Sequence, residues 1–297
     1  KPYFKYTCFV SMDLNLKNIT FIIVCFKSEN VIYNCLNSLP KNSNKIIIEN
    51  SRDINLKKDL ETKYDNIEVI LNDNLGMGSS NNIGILRSKT QYVHILNPDT
   101  IFKNDTFENL VNTCKKLNDF AILSPLHSKL NYPNFKISKN VESIDENIIE
   151  VDSLDGFSML INKNKFKDND FFDENFFLYL ENDDLCLRTK KMNEKIFIIK
   201  NSLIDHLGAS SSNQSKEDKL EYLRNWHWMW SKFYFNKKHY GFLNSLSKIL
   251  LNVISANIKF LFYLLIFNSH KRKIYQMRIL GSLNSIAGKK SFFRIDN

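Results

Sequence analysis

The chain has 297 residues, 43% of them apolar and 25% charged, with 8 Gly and 5 Pro, which excludes a disordered or collagen-like chain and fits one large domain with an appendage, or two domains. The formal net charge of +9, taken as a sum, points to nucleic acid or an anionic membrane as partner. Its distribution argues otherwise: residues 1–215 carry 26 basic and 28 acidic side chains, residues 216–297 carry 15 and 4, so the basic character belongs to the tail.

In chain order, Ile19–Cys25 is a near-continuous apolar, β-branched run, as expected of a strand buried on both faces. Glu29–Leu39 reads as a helix stopped by Pro40. Lys45–Glu49 is a second strand, Asn55–Tyr64 a charged helix and Ile67–Leu71 a third strand. A glycine-containing turn leads to a helix over about Ser79–Ser88, followed by a strand at Gln91–Leu96, a helix at Asp105–Leu117 and a strand-like Ala121–Ser124. This alternation predicts an α/β fold with a mostly parallel sheet, whose ligands bind beyond the carboxyl ends of the strands. Those ends read Cys25-Phe26-Lys27, Glu49-Asn50-Ser51 and Asn97-Pro98-Asp99-Thr100.

After Pro125 the rhythm breaks. Asn131–Asn147 is polar and irregular, suited to a lid or insertion. Phe157–Ile161 is a strand, Glu181–Lys191 a helix, and Lys195–Ile199 and Leu203–His206 two short strands. Ser210–Ser215 is a Ser-rich loop suited to a domain edge. The five cysteines are widely spaced with no CxxC, which argues for a reducing, cytoplasmic setting. No signal peptide is visible. Residues 1–11, upstream of Met12, are set apart from the fold argument.

Four segments could carry chemistry. Asp99, at a strand's carboxyl end, could hold a divalent cation against a diphosphate, or the Asn-Pro-Asp run is a simple turn. Asn74-Leu75-Gly76-Met77-Gly78 with Asn82-Ile83-Gly84 places glycines where backbone can approach a ligand, or makes a plain tight turn. Glu181, Asp183 and Asp184 crowd a helix start, where carboxylates cap favourably. With Asp173 and Glu174 they exceed what a cap needs, and general-base work needs a positioned carboxylate. Asp184 and Arg188 could also form an i, i+4 ion pair. His206, at a strand end before Leu207-Gly208, is a candidate ligand or a structural histidine.

These segments, in this order, resemble the family-two glycosyltransferases of the GT-A fold, most of all the rhamnosyltransferase-like branch that builds bacterial polysaccharides. The resemblance covers about Ile19–Ser211 and continues weakly into Asn225–Gly241. Its most specific part is Phe172-Asp173-Glu174-Asn175-Phe176-Phe177 running into Asp184-Leu185-Cys186-Leu187-Arg188. The family implies a nucleotide-sugar site formed by Cys25, Phe26, Lys27, Glu49, Asn50, Asn74, Gly76, Asn82, Asn97, Asp155, Gly156 and Arg188. It implies a Mg²⁺ or Mn²⁺ ion held by Asp99 and His206, with Asn97 where the family has a first Asp. It implies catalysis by the carboxylates Glu181, Asp183 and Asp184. The family's usual base position holds Asn182, which cannot accept a proton; Glu181 or Asp183 then serves as base, or the chain is a weak or inactive transferase. Glu181 is the favoured candidate.

In the tail, Trp226, Trp228 and Trp230 sit among Arg and Lys. Such a cluster suits a membrane interface, stacks nucleic-acid bases, or packs a helix onto the rest of the chain. Ile249–Phe267 is long and apolar enough to consider as a membrane span. Lys259 near its middle would cost about 2.5–3.5 kcal/mol there. Ser245, Lys248, Asn252, Ser255, Lys259 and Tyr263 form one polar stripe, which favours a helix lying in the membrane surface.

The sequence therefore leads to these expectations: an N-terminal extension over 1–18, possible non-native residues within it, a GT-A domain over 19–211, and a basic, aromatic, helical membrane-associating region over 212–297. The enzyme would be an inverting, metal-dependent hexosyltransferase. It would move a sugar from a dTDP-rhamnose-like or UDP-sugar donor to a lipid-linked glycan in polysaccharide or lipopolysaccharide biosynthesis. It would sit on the cytoplasmic side of the plasma membrane, with no nucleic acid as partner. The rivals are a non-catalytic nucleotide-sugar-binding homologue and a nucleic-acid binder.

Overall fold

The computed structural model describes residues 14–117, 119–129, 131–138, 143–208 and 214–294. Residues 1–11 and most of the Ser-rich loop at 210–215 lie outside them. Two compact units emerge: the described parts of 1–73, 83–171 and 186–207 form one, and those of 74–82, 172–185 and 208–297 the other.

The elements begin with β1 (Ile19–Cys25), α1 (Ile32–Ser38), β2 (Asn44–Glu49), α2 (Ile54–Lys63), β3 (Ile67–Leu71), α3 (Met77–Arg87) and β4 (Tyr92–Leu96). They continue with β5 (Thr100–Phe102), α4 (Thr106–Cys114), β6 (Ile122–His127), β7 (Phe135–Lys136), β8 (Ser143–Asp145) and β9 (Ile148–Glu150). Then come β10 (Ser153–Leu154), β11 (Ser158–Asn162), α5 (Glu181–Lys191), β12 (Ile196–His206), α6 (Gln214–Tyr240), α7 (Phe242–Leu265) and α8 (Ser269–Ile286).

The main sheet of the first unit runs β3-β2-β1-β4-β11-β6-β12-β9-β8, with β5 also pairing β12. Strands β3, β2, β1 and β4 pair in parallel, and so do β6 and β12; β11 is antiparallel to β4 and β6. All seven residues of β1 are buried, as its unbroken apolar run requires. The core combines Phe21, Ile23 and Ile47 of the sheet with Leu36, Leu60 and Leu110 of the helices. Gly84 is needed for this packing, because a Cβ there would stand 2.5 Å from Ile22 Cγ2. The expected α/β, mostly parallel architecture with C-terminal helices is present.

Some elements differ from expectation. Lys195–Ile199 and Leu203–His206 are one eleven-residue strand, β12, whose pairing with β6 shifts register between Ile199 and Leu203. A bulge of this kind interrupts the apolar pattern without ending the strand. The irregular segment 131–147 contains strands: β7 pairs β10, and β8 and β9 form a hairpin whose β9 joins β12. These strands are two or three residues long, too short for periodicity to reveal. Leu14, within the expected N-terminal extension, is buried in the core, and Asn15 caps the short turn that leads into β1.

In the second unit, α6, α7 and α8 pack on one another. Trp226 and Trp230 are buried with Met277, while Met229 and Phe233 pack with Ile249. Two of the three tail tryptophans are thus core residues, and Trp228 is partly exposed. Along α7, Ser245, Ile249 and Ala256 face inward, and Lys248, Asn252, Ser255 and Lys259 lie on the outside. Ser245 therefore leaves the expected polar stripe for the packed face.

Candidate functional site

Parallel pairing aligns Cys25 with Glu49, and Ile23 with Leu96. This register brings the ends of β1, β2 and β4 to one edge of the sheet, and β12, parallel to β6, ends on the same edge at His206. Ligands of α/β sheets bind at that edge.

There, Asp99 Oδ1 lies 3.3 Å from His206 Nε2. Asn97 Nδ2 lies 3.5 Å from the same ring nitrogen, and Asn97 Oδ1 is buried without a hydrogen-bond partner. The His206 ring stacks on Phe157 at 4.5 Å, 13° from parallel. Its orientation is also fixed by β5: Thr100 pairs with His206 in register, and Leu207 N donates to Asp99 O at 3.0 Å. Asn97, Asp99 and His206 together offer one carboxylate, one imidazole nitrogen and one orphaned amide oxygen. No group of three or more His, Cys, Asp or Glu that could by itself hold a metal ion occurs among the described residues. A divalent ion held here would need the phosphate oxygens of a ligand to complete its shell, which is how magnesium-like ions are commonly bound.

Glu49 is fully buried at the end of β2. Its Oε1 accepts from Ser51 N at 2.6 Å and from the Ser51 hydroxyl, while Oε2 has no partner. Burial raises the carboxyl pKa, and the Ser51 hydrogen bonds offset part of the shift. Asn50 accepts from Asn72 Nδ2 at 3.1 Å. Cys25 is buried, and burial pushes its thiol well up, so its side chain belongs to the core. Phe26 is half-buried and Lys27 exposed, with Lys27 Nζ 5.3 Å from the Phe26 ring centre. Asp155 and Gly156 are half-buried in the loop between β10 and β11, where Asp155 N donates to Asn134 O at 2.9 Å. Arg188 donates to the carbonyls of Asp170 and Phe171 and pairs with the Asp170 carboxylate at 3.0 Å.

The second unit holds the remaining candidates. Gly76 has φ +94°, and a Cβ there would stand 2.3 Å from Phe177 O. Only glycine fits. Asn74 precedes this turn and is half-buried. Asn82 donates to Phe172 O at 2.8 Å and accepts from Phe172 N at 3.0 Å, so its amide locks the acidic segment.

Glu181 opens α5, directly after Tyr179 and Leu180, which both have left-handed backbone (φ 71° and 67°). Such conformations are strained for non-glycine residues and cluster at functional sites. Glu181 Oε2 is shielded from solvent without a partner, and burial raises the carboxyl to about 7, with the Asp183 charge adding to the shift. A carboxylate so tuned suits general-base work near neutral pH. Asp183 is half-buried. Asp184 is fully buried, and its Oδ1 receives Lys238 Nζ and His239 Nε2, each at 2.7 Å. These partners, Lys238 and His239, were not among the sequence candidates. Their run Lys237-Lys238-His239 reads as solvated basic tail, and no spacing rule links it to Asp184.

Residues 20–187 match the family described as glycosyl transferase family 2. The low-salt glycan biosynthesis hexosyltransferase Agl10 of Haloferax volcanii is 25% identical over 242 residues, covering 72% of this chain and 77% of that protein. The rhamnosyltransferase WbbL of Escherichia coli is 29% identical over 201 residues, covering 57% and 76%. Among solved structures, the mannosyltransferase PcManGT of Pyrobaculum calidifontis, in complex with GDP-Man and Mn²⁺, superposes with a TM-score of 0.54 at 10% identity, covering 92% and 88%.

Proposed function

The chain belongs to glycosyl transferase family 2, and on that premise we propose that it is an inverting, metal-dependent hexosyltransferase using a nucleotide-diphosphate sugar. The grouping of Asp99, His206 and the orphaned Asn97 oxygen carries this reading. A divalent cation bound there, Mg²⁺ or Mn²⁺, would neutralise charge developing on the leaving diphosphate. Asp99 and His206 would supply the ligands from the protein, and Phe157 fixes the imidazole plane by stacking. Phe26, Lys27, Glu49 and Asn50, along the same edge, would meet the nucleoside in this reading. Glu181 would serve as the base for the acceptor hydroxyl, whose oxygen would displace the nucleoside diphosphate from the anomeric carbon. One carboxylate base with direct displacement gives inversion. The relatives' names, a hexosyltransferase and a rhamnosyltransferase, support transfer of a hexose or of rhamnose, for which the donor in this reading is dTDP-rhamnose-like or a UDP-sugar; PcManGT with GDP-Man and Mn²⁺ supports the nucleotide-sugar and metal classes.

The acceptor in this reading is a growing lipid-linked glycan, which places the enzyme at the cytoplasmic face of the plasma membrane through the basic C-terminal region. The support is α7. It is long and apolar enough to cross a membrane and is little buried, with Leu251, Ile258 and Leu265 outside and Lys248 and Lys259 on its flank. An in-plane helix keeps those lysines at the headgroups.

A thermal-shift series of UDP-, GDP- and dTDP-sugars, each with Mn²⁺ or EDTA, tests the donor and metal assignments together. Stabilisation by one nucleotide class, larger with Mn²⁺, is expected. No response to any nucleotide sugar, or an equal response in EDTA, would overturn the reading.

A further inference from the structure

One face of α6 grips the segment that carries Glu181. Tyr234 Oη and Lys238 Nζ donate to Asp173 Oδ2 at 3.0 and 2.7 Å. Ser231 Oγ donates to Leu178 O at 2.8 Å, and the Trp228 ring meets Tyr179 edge-on at 5.5 Å. Lys238 Nζ and His239 Nε2 close on Asp184 Oδ1. Positions 231, 234 and 238 recur at steps of three and four, so they share a helix face.

These contacts bracket a strained turn. Leu178 is held just before the left-handed pair Tyr179-Leu180, and Asp184 is held one turn after it, where its N–H donates to Leu180 O at 2.9 Å. Glu181 lies between the two clamps. Backbone in this region persists only where its surroundings over-determine it. A buried carboxylate held by a lysine and an imidazole is a poor way to gain stability alone, but a good way to fix one geometry.

We infer that Lys238 and His239 are positioning residues for glycosyl transfer: by holding Asp184 they set the turn that aims Glu181. The inference rests on Glu181 being the base. It gives the basic end of α6 a part in turnover, separate from any part in membrane binding.

The test is a double-mutant cycle in the full chain, using the nucleotide sugar that gives the largest thermal shift and reading nucleoside diphosphate release in Mn²⁺. Lys238→Met should lower kcat about tenfold or more while the donor KM stays within about twofold, and Lys238→Arg should recover most of the loss. In a Glu181→Gln background, Lys238→Met should cost little further, because both changes act through one group. Hydrogen exchange at residues 178–184 should quicken in Lys238→Met with the rest of the chain unchanged. An unchanged kcat, an equal loss in both backgrounds, or unchanged exchange at 178–184 overturns the inference. If Lys238→Met does not fold, His239→Gln, which keeps the lysine, carries the same comparisons. Full activity in Glu181→Gln alone would instead remove the base assignment, so the two failures are distinguishable.

Discussion

His206 Nε2 stands 3.3 Å from Asp99 Oδ1, where the start of β5 pairs antiparallel with the end of β12. The pair is either an ion-pair anchor or two ligands waiting for a third. The Asn97 oxygen, buried and without a partner beside them, favours ligands. Asp99→Asn and His206→Ala should each raise the Mn²⁺ concentration needed for half-maximal turnover by about 10–100-fold. A purely structural pair would lower the melting temperature and leave the Mn²⁺ dependence where it was.

Glu181→Gln should lower turnover by about 10²–10⁴-fold with donor binding retained, the usual scale for a lost general base. Wild-type turnover should rise with pH through about 7, since only the ionised carboxylate accepts a proton. The stability effect has the opposite sign. A carboxyl raised from 4.5 to about 7 binds its proton more tightly in the folded chain, so its contribution is full below 4.5 and lost as pH rises through about 7. Glu181→Gln should therefore gain stability relative to wild type across that window, measured by urea denaturation at each pH. A variant that is inactive yet no more stable at pH 8 than at pH 5, relative to wild type, would remove burial as the cause of the tuning.

Much of this site was legible in the strand ends. An apolar run followed at once by Asn97-Pro98-Asp99 marks a carboxyl edge, and His206 followed by Leu207-Gly208 marks another. Their proximity was not legible, because it depends on β12 joining β6 in parallel while β11 enters the sheet reversed. Asn82 shows the limit of motif reading: the residue type suits a sugar ligand, yet both ends of its amide are taken by Phe172 backbone. Lys238 and His239 show the same limit in reverse. Their charge reads as surface until the buried Asp184 is seen to face them.

Gly76→Ala should destabilise the chain by about 1–3 kcal/mol, from backbone strain and from a clash with the Phe177 carbonyl. Gly208→Ala is the control: it also has positive φ, but nothing lies within 4 Å of its added Cβ. Its cost should be only about 1–2 kcal/mol of conformational strain. Urea midpoints compare the two. Equal losses would mean that the close approach at Phe177 contributes nothing.

Membrane binding calls for point changes in α7. Removing residues 216–297 would also strip Asp173 and Asp184 of Lys238 and His239, so lost activity in such a truncation would say nothing about membranes. Leu251 and Ile258 are 77% and 63% exposed and lie away from the packed stripe of Ser245, Ile249 and Ala256. Leu251→Glu with Ile258→Glu should therefore leave the melting temperature within a degree or two, since such surface sites rarely exceed about 0.5 kcal/mol. The same pair should weaken sedimentation with anionic vesicles by about tenfold or more, because each charge must enter the apolar zone. Reversing Lys271, Arg272 and Lys273 to Glu should weaken binding to anionic vesicles and leave binding to neutral ones alone, since each basic residue contributes about 1 kcal/mol only where the surface is charged. Undiminished sedimentation of the α7 variant would mean that another partner covers this face.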